Sequence, residues 1–432
     1  MTVLDDYLAR TPRSRQLFER ATASLPGGST RTTVYTAPYP PYVASGDGLR
    51  IRDVDGNEYR DFLGNYTSLI LGHAHPAVVA AVEAQVRRGS AFAAPTETEV
   101  ELAEEIRRRV PSIERLRFTS SGTEATMFAI RAARAHTGRS LIAKFERSYH
   151  GTHDAVMAGT AGVPAVMGGL VVELPWGDPA GVESALRGRE GELAAILIEP
   201  VQGAGGVRAA GTEFLAFLRD LCDRTGALLI FDEIISFRVA PGGAQERFDV
   251  RPDMTTLGKI IGGGYPLAAF GGRADVMSVF DARRSGAISH GGTFNGSPVA
   301  AAAGLATLRE LAPATYGRLD DLGERLRSRT TATIERDGLD ARIATVGSLF
   351  QVFPGRSTSS SSGATATAFA TGVDSGPGLF LALLLDGVYL APRGMGAIPA
   401  IATEQDVDDL ADAIGRALVS IGLTRAAEPA TA

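Results

Sequence analysis

Between about residue 97 and residue 310, short apolar runs alternate with stretches whose apolar positions recur every three or four residues. The runs at 115–119, 140–145, 170–174, 194–198, 227–231 and 267–270 read as buried strands, with amphipathic helices between them. Such alternation predicts an α/β fold, a mainly parallel sheet covered by helices on both faces. Two of the runs end directly in acids, Ile198 into Glu199 and Phe231 into Asp232. Ligands of open α/β sheets sit at the carboxyl ends of the strands, so both acids are candidates by position.

The two ends of the chain carry a different pattern. Residues 49–53 and 58–62 flank Asp55-Gly56 as a hairpin, and a helix is expected to start near Pro76. Beyond Glu310, helical patterns run to Asp337, strand-like segments occupy 342–353, and helices are expected at 378–386 and 404–421. We expect a large domain at 76–310 and a small α+β domain built from 1–75 and 311–425. A Ser- and Gly-rich connection is expected at 357–363 and a disordered tail at 426–432.

Composition narrows the function. With 432 residues, 44% of them hydrophobic and 21% charged, the chain is neither disordered nor collagenous and can bury a large core. The net charge of −6 comes from interspersed acids and bases, so no basic face is offered to nucleic acid or an anionic membrane. Small polar or anionic metabolites remain as partners. Cys222 is the only cysteine, which rules out an intramolecular disulfide and makes a reducing cytoplasm the expected compartment. Asp5 and Asp6 stand where a secretory signal would be apolar, and no apolar run approaches the ~20 residues needed to span a bilayer.

Only two of the 43 basic residues are lysines, Lys144 and Lys259. Chemistry that needs a deprotonated amine has no other source, because a guanidinium stays charged. The strand ending in Asp232-Glu233 precedes Thr255-Thr256-Leu257-Gly258-Lys259-Ile260-Ile261-Gly262-Gly263-Gly264, a lysine beside a glycine run that reads as flexible. A lysine and a strand-end acid suit a pyridoxal phosphate (PLP) enzyme, in which the amine attaches to the cofactor and the acid keeps the pyridine nitrogen protonated. Read singly, Asp232 could be a helix cap and Lys259 a surface lysine. The segment Ser120-Ser121-Gly122-Thr123-Glu124 joins a strand to a helix, where backbone N–H groups and hydroxyls receive phosphate. An ordinary cap at Ser121 or Thr123 would look the same. Tyr149-His150-Gly151 could stack on a flat cofactor or simply pack at a strand end.

Taken together, Ser121-Gly122-Thr123-Glu124-Ala125, Tyr149-His150-Gly151, Glu199-Pro200, Asp232-Glu233, the run through Lys259 and Gly292-Thr293 resemble, in that order, the class III PLP-dependent aminotransferases. The similarity spans residues 26–421 and is strongest to the branch of β-amino acid aminotransferases, such as the β-phenylalanine enzymes, and glutamate-1-semialdehyde aminomutase. It implies a fold-type I transferase: a mainly parallel, seven-stranded sheet with a small α+β domain from both chain ends. Lys259 would attach to pyridoxal 5′-phosphate and shuttle the proton, and Asp232 would partner the pyridine nitrogen. Ser121, Gly122 and Thr123 would surround the phosphate, Tyr149 would stack on the ring, and His150 would lie beside it. Thr293 would reach the cofactor of the neighbouring subunit in a homodimer with shared active sites.

The resemblance also speaks to the substrate. Pro26-Gly27-Gly28-Ser29-Thr30-Arg31 is similar to a β-amino acid aminotransferase segment whose arginine grips the substrate carboxylate, and Arg393 in Tyr389-Leu390-Ala391-Pro392-Arg393-Gly394 resembles a second, mobile carboxylate arginine. Each could instead be a solvated surface charge. Ala204 stands where the aminomutase pattern has asparagine, the Asp232–Arg238 stretch is one residue shorter than that pattern, and residues 151–170 are short for the loop that retains the aminomutase intermediate. The expectation is therefore an aminotransferase moving an amino group between a carboxylated, β-type amino donor and a 2-oxo acid acceptor such as 2-oxoglutarate. Aminomutase action on glutamate-1-semialdehyde, or amination of a ring ketone, is the alternative. His73 and His75 have no acid or cysteine close in sequence and are read as structural, so no metal is expected.

Overall fold

A computed structural model describes residues 2–355 and 378–423, so the connection expected at 357–363 and the tail expected at 426–432 lie outside the described residues. The chain divides into two compact units, Met1–His75 with Gly317–Ala432 and Pro76–Tyr316.

The first unit opens with helices Val3–Arg10 and Pro12–Thr22. Strands β1 (Val43–Asp47), β2 (Arg50–Asp53) and β3 (Glu58–Asp61) follow as antiparallel neighbours. The β2–β3 turn is organised by buried Asp53, whose oxygens accept from Asp55 N at 2.9 Å, Asn57 N at 2.8 Å and the Tyr59 hydroxyl at 2.7 Å. The sequence pattern omitted β1 because its side chains are mostly exposed and give no apolar signal.

The second unit holds β4 (Arg115–Thr119), β5 (Leu141–Phe145), β6 (Val171–Leu174), β7 (Leu193–Ile198), a small ribbon of β8 (Val201–Gln202) and β9 (Arg208–Ala209), then β10 (Leu228–Asp232), β11 (Met254–Leu257) and β12 (Ala268–Gly272). Its seven-stranded sheet has the order β4-β12-β11-β10-β7-β5-β6, with β12 antiparallel to both neighbours. Alternation along β7 shows how the two faces are filled. Ala195 and Leu197 pack with Phe128, Ala129 and Ala132 of the helix Gly122–Thr137, whereas Ile196 and Ile198 pack with Leu215, Leu218 and Leu221 of the helix Thr212–Thr225. The Cys222 thiol is buried in this second layer, and burial raises its pKa.

One strand carries no sequence signal, and one sequence expectation needs correction. β11 was not foreseen, because a four-residue strand containing two threonines lacks a readable apolar run. The glycines after Lys259 are not a flexible run: a Cβ on Gly263 would lie 2.4 Å from the Ala303 carbonyl oxygen, so the missing side chain is what lets the helix Pro298–Glu310 approach.

The helix Pro313–Arg336 starts in the second unit and from Gly317 on belongs to the first, where the hairpin β13 (Ala341–Val346) and β14 (Leu349–Pro354) follows. The apolar helix Gly378–Leu385 comes next, and Phe380, Leu381 and Leu384 pack against Tyr7, Tyr39 and Tyr59. Then β15 (Val388–Tyr389) pairs in parallel with β3, β16 (Met395–Ala397) pairs with β14, and the helix Glu404–Ser420 closes the unit behind a Thr403–Asp406 capping box. Among the described residues, no helix is long and apolar enough to cross a membrane.

Candidate active site

In the sheet of the second unit, β5, β7, β10 and β11 run parallel, and β4 shares their direction because β12 is antiparallel to both β4 and β11. Their carboxyl ends therefore meet along one edge, the position where an α/β sheet binds ligands. That edge brings together Ser121 after β4, Tyr149 and His150 after β5, Glu199 after β7, Asp232 at the end of β10 and Lys259 after β11.

Asp232 is buried and has three hydrogen-bond partners. Its Oδ1 accepts from Thr256 Oγ1 at 3.0 Å and Ile234 N at 3.2 Å, and its Oδ2 lies 2.7 Å from Nδ1 of the fully buried His150 ring. A carboxylate there would only accept, which would place a proton on Nδ1, and the Nε2 atom of His150 has no partner among the described residues. Thr126 Oγ1 donates to the His150 carbonyl at 2.7 Å, fixing the residue from behind. Behind it lies His153, whose ring is pushed down to about 4 by burial, with the nearby His150 adding to the effect.

Glu199 ties two of the loops together. Its carboxyl oxygens accept from Tyr149 N at 2.9 Å and Gly203 N at 3.1 Å. Burial pushes it up to about 7, with Asp232 adding to the rise and His150 and the two backbone donors opposing it. A folded-state value above the ordinary 4.5 means the folded protein keeps a proton that the unfolded chain has released. This contribution to stability is complete below about 4.5 and is lost as the pH rises through about 7. Glu199→Gln, which cannot ionise, should therefore gain on the parent by on the order of 2 kcal/mol between pH 5 and pH 8, read from urea unfolding. A difference between variant and parent that does not move with pH would contradict this origin.

Lys259 begins a short 3₁₀ turn with its own backbone in the left-handed region, φ 51°. A non-glycine residue held there marks a position fixed by its surroundings. Burial lowers the pKa of its amine, against the pull of Asp232 and Glu199. The other lysine is committed elsewhere, with Lys144 Nζ 2.7 Å from Glu173 on the neighbouring strand.

Ser121 serves as the N-cap of the helix Gly122–Thr137: its Oγ accepts from Glu124 N at 3.2 Å, and Glu124 accepts in return from Ser120 N and Ser121 N. Ala125 N bonds back to the Ser121 carbonyl, so the donors that the helix leaves over are the N–H groups of Gly122 and Thr123. Bulk is excluded around them. A Cβ on Gly122 would meet Ile234 Cδ1 at 2.6 Å, and one on Gly151, at φ +90°, would meet Thr123 Oγ1 at 2.5 Å. Tyr149 is 38% exposed at the same edge, and Thr293 is exposed on its loop.

Glu233, next to Asp232, is structural. It is buried and accepts from Ala244 N, Gln245 N, Gln245 Nε2 and Ser236 Oγ.

Arg31 and Arg393 both belong to the first unit. Arg31 is exposed, and its Nη1 donates to Asn65 Oδ1 at 3.1 Å. Arg393 is part-buried in a tight turn where Gly394 N bonds to Ala391 O at 2.8 Å. Tyr66 links the pair electrostatically: burial raises the pKa of its hydroxyl, and the Arg393 and Arg31 guanidiniums oppose that. His73 is a structural partner, its Nε2 lying 2.7 Å from Asp61 Oδ2.

Sequence reasoning did not single out Thr256, Thr126 or Asn65, each of which acts through a neighbour distant in the chain.

The family profile described as aminotransferase class-III matches residues 34–418. Among curated proteins, the glutamate-1-semialdehyde 2,1-aminomutase of Sorangium cellulosum is 43% identical, over 95% of this chain and 97% of its own length. The protein of the same name from Methanosarcina acetivorans is 39% identical, over 93% and 97%. Among solved structures, an omega-transaminase from Sphaerobacter thermophilus superposes with a TM-score of 0.88 at 41% identity, covering 95% of this chain and 98% of that one. A transaminase with PLP bound gives 0.88 at 39%, covering 95% and 98%. A β-phenylalanine aminotransferase from Variovorax paradoxus gives 0.87 at 35%, covering 98% and 99%.

Proposed function

Because the chain belongs to the class-III aminotransferase family, we infer that it is a PLP-dependent enzyme that moves an amino group onto or off a small carboxylated substrate. The observation that carries the reading is Lys259, a lysine with its amine pKa lowered, at the strand-end edge that also holds Asp232. The residues present fit the cofactor. An amine, a buried acid and a helix terminus with two free N–H groups and no room for a Cβ match an aldehyde, a pyridine nitrogen and a phosphate respectively.

In this reading Lys259 holds the aldehyde carbon, and Asp232, fixed by Thr256 and His150, holds the pyridine nitrogen. Gly122 and Thr123 take the phosphate, with Ser121 shaping the turn, and the Tyr149 ring covers the cofactor. The bound cofactor supplies an electron sink for the carbon that bears the amino nitrogen. Lys259 then takes the proton from that carbon and returns it, work for which a lowered amine pKa is suited. The enzyme acts in the cytoplasm as a homodimer in which Thr293 of one protomer serves its partner's phosphate. The exposure of Thr293 and of Phe294, at 63%, supports an interface there.

For the substrate, the names of the curated relatives weigh towards glutamate-1-semialdehyde 2,1-aminomutase more than towards a β-amino acid aminotransferase. The second reading rests on Arg31 and Arg393 as carboxylate ligands, and on likeness to the omega-transaminase and the β-phenylalanine aminotransferase. Two assays of the PLP-loaded enzyme separate them. An aminomutase should convert glutamate-1-semialdehyde to its amino-exchanged isomer through many turnovers with no added oxo acid. An aminotransferase should release one equivalent of oxo acid per site from L-glutamate or a β-amino acid and then stall until an acceptor is added. Failure in both assays would remove both substrate readings.

A further inference from the structure

Residues Gly64–Thr67 form a turn of the wrong hand. Four consecutive residues, Gly64, Asn65, Tyr66 and Thr67, have φ of 52°, 50°, 54° and 76°. L-residues other than Gly and Asn avoid this region, and β-branched residues avoid it most, so Tyr66 and Thr67 hold it against their own preference. The surroundings impose it. Asp61 Oδ1 accepts from Leu63 N at 2.8 Å and Gly64 N at 2.9 Å while its Oδ2 is held by His73, and Leu69 N and Ser68 Oγ close the far side onto Gly64 O and Asn65 O.

The turn is used to clasp one short segment at two points. Asn65 Oδ1 accepts from Arg31 Nη1 at 3.1 Å, and the Tyr66 hydroxyl donates to the carbonyl of Thr33, two residues further on. A guanidinium has five donors in a planar fork, so one bond through Nη1 leaves the opposite Nε–Nη2 edge for a bidentate carboxylate. The chemistry of the acceptor matters as much as its place. An amide oxygen orients the guanidinium and leaves its charge intact, whereas an aspartate there would neutralise it and compete with an anionic substrate.

We propose that Asn65, presented by the left-handed turn Gly64–Thr67, is a positioning residue that aims the Arg31 guanidinium at the substrate carboxylate and so sets the enzyme's selectivity for carboxylated amines. The proposal rests on the reading of Arg31 as a carboxylate ligand. Its test uses the PLP-loaded enzyme with Asn65→Gly, Asn65→Asp and Arg31→Ala. Glycine suits φ 50° and removes only the amide, so Asn65→Gly keeps the turn. It should raise KM for the carboxylated amino donor about tenfold with kcat within about twofold, and weaken calorimetric binding of glutarate, a non-reacting dicarboxylate, by a similar factor. Asn65→Asp should weaken both further. Asn65→Gly with unchanged KM and glutarate affinity, beside an Arg31→Ala variant that loses both, would overturn the role of Asn65 alone. Arg31→Ala with both unchanged would overturn the carboxylate reading of Arg31 and this proposal with it. A fall in kcat and melting temperature together, with no change in KM, would mark a merely structural turn.

Discussion

Replacing Lys259 with alanine is expected to lower amino transfer by at least about 10⁴-fold and to leave PLP bound without a covalent link. The size follows from what else the chain can offer. The reaction needs an amine that is a nucleophile in one step and a base in the next, and arginine cannot lose its proton to be either. Lys144, the only other lysine, is pinned at 2.7 Å to Glu173 within the sheet. Lys259→Arg should be as inactive as Lys259→Ala, which separates loss of the amine from loss of the positive charge. Treatment with borohydride before denaturation provides the check. The parent protein should retain the cofactor covalently through unfolding, and both variants should release it. Turnover of either variant within about tenfold of the parent would remove Lys259 from the chemistry.

How much of this was legible in the sequence depended on where each interaction ran. Strands such as 194–198 and 227–231 could be read because both faces are buried, which makes them continuous apolar runs whose final acids stand out. β11 could not, since Thr255 and Thr256 are buried yet polar, and Thr256 is there because Asp232 needs a hydroxyl across the strand pair. The pairing of His150 with Asp232 joins residues 82 positions apart, and no local pattern records such a partner. Ser121 illustrates the opposite limit: its local pattern suited a helix cap and a phosphate site equally, the structure shows it capping, and the resemblance is what favours a phosphate beside it. The left-handed turn at Gly64–Thr67 left one glycine as its trace, because Asp61, Ser68 and His73 impose it through tertiary contacts.

Asp232→Asn should lower kcat/KM by roughly 10³-fold while leaving the protein folded, and Asp232→Ala should damage both. The difference lies in the buried partners. In the parent, Oδ1 accepts hydrogen bonds from Thr256 Oγ1 and Ile234 N, and Oδ2 faces His150 Nδ1 at 2.7 Å. Asparagine can keep its oxygen towards Ile234 N and turn its amide towards the imidazole, which then accepts at Nδ1 and moves its proton to Nε2. Shape and hydrogen bonding survive, but the negative charge that would hold a proton on a pyridine nitrogen is gone. Alanine instead strands the Nδ1 atom of a fully buried ring whose Nε2 already lacks a partner among the described residues, at a cost of about 1–3 kcal/mol. The melting temperature of Asp232→Asn should stay near that of the parent, that of Asp232→Ala should fall, and the activity of both should collapse. An Asp232→Asn variant with the parent's kcat/KM would mean that the carboxylate holds only His150, and the ring-nitrogen partner would have to be sought elsewhere.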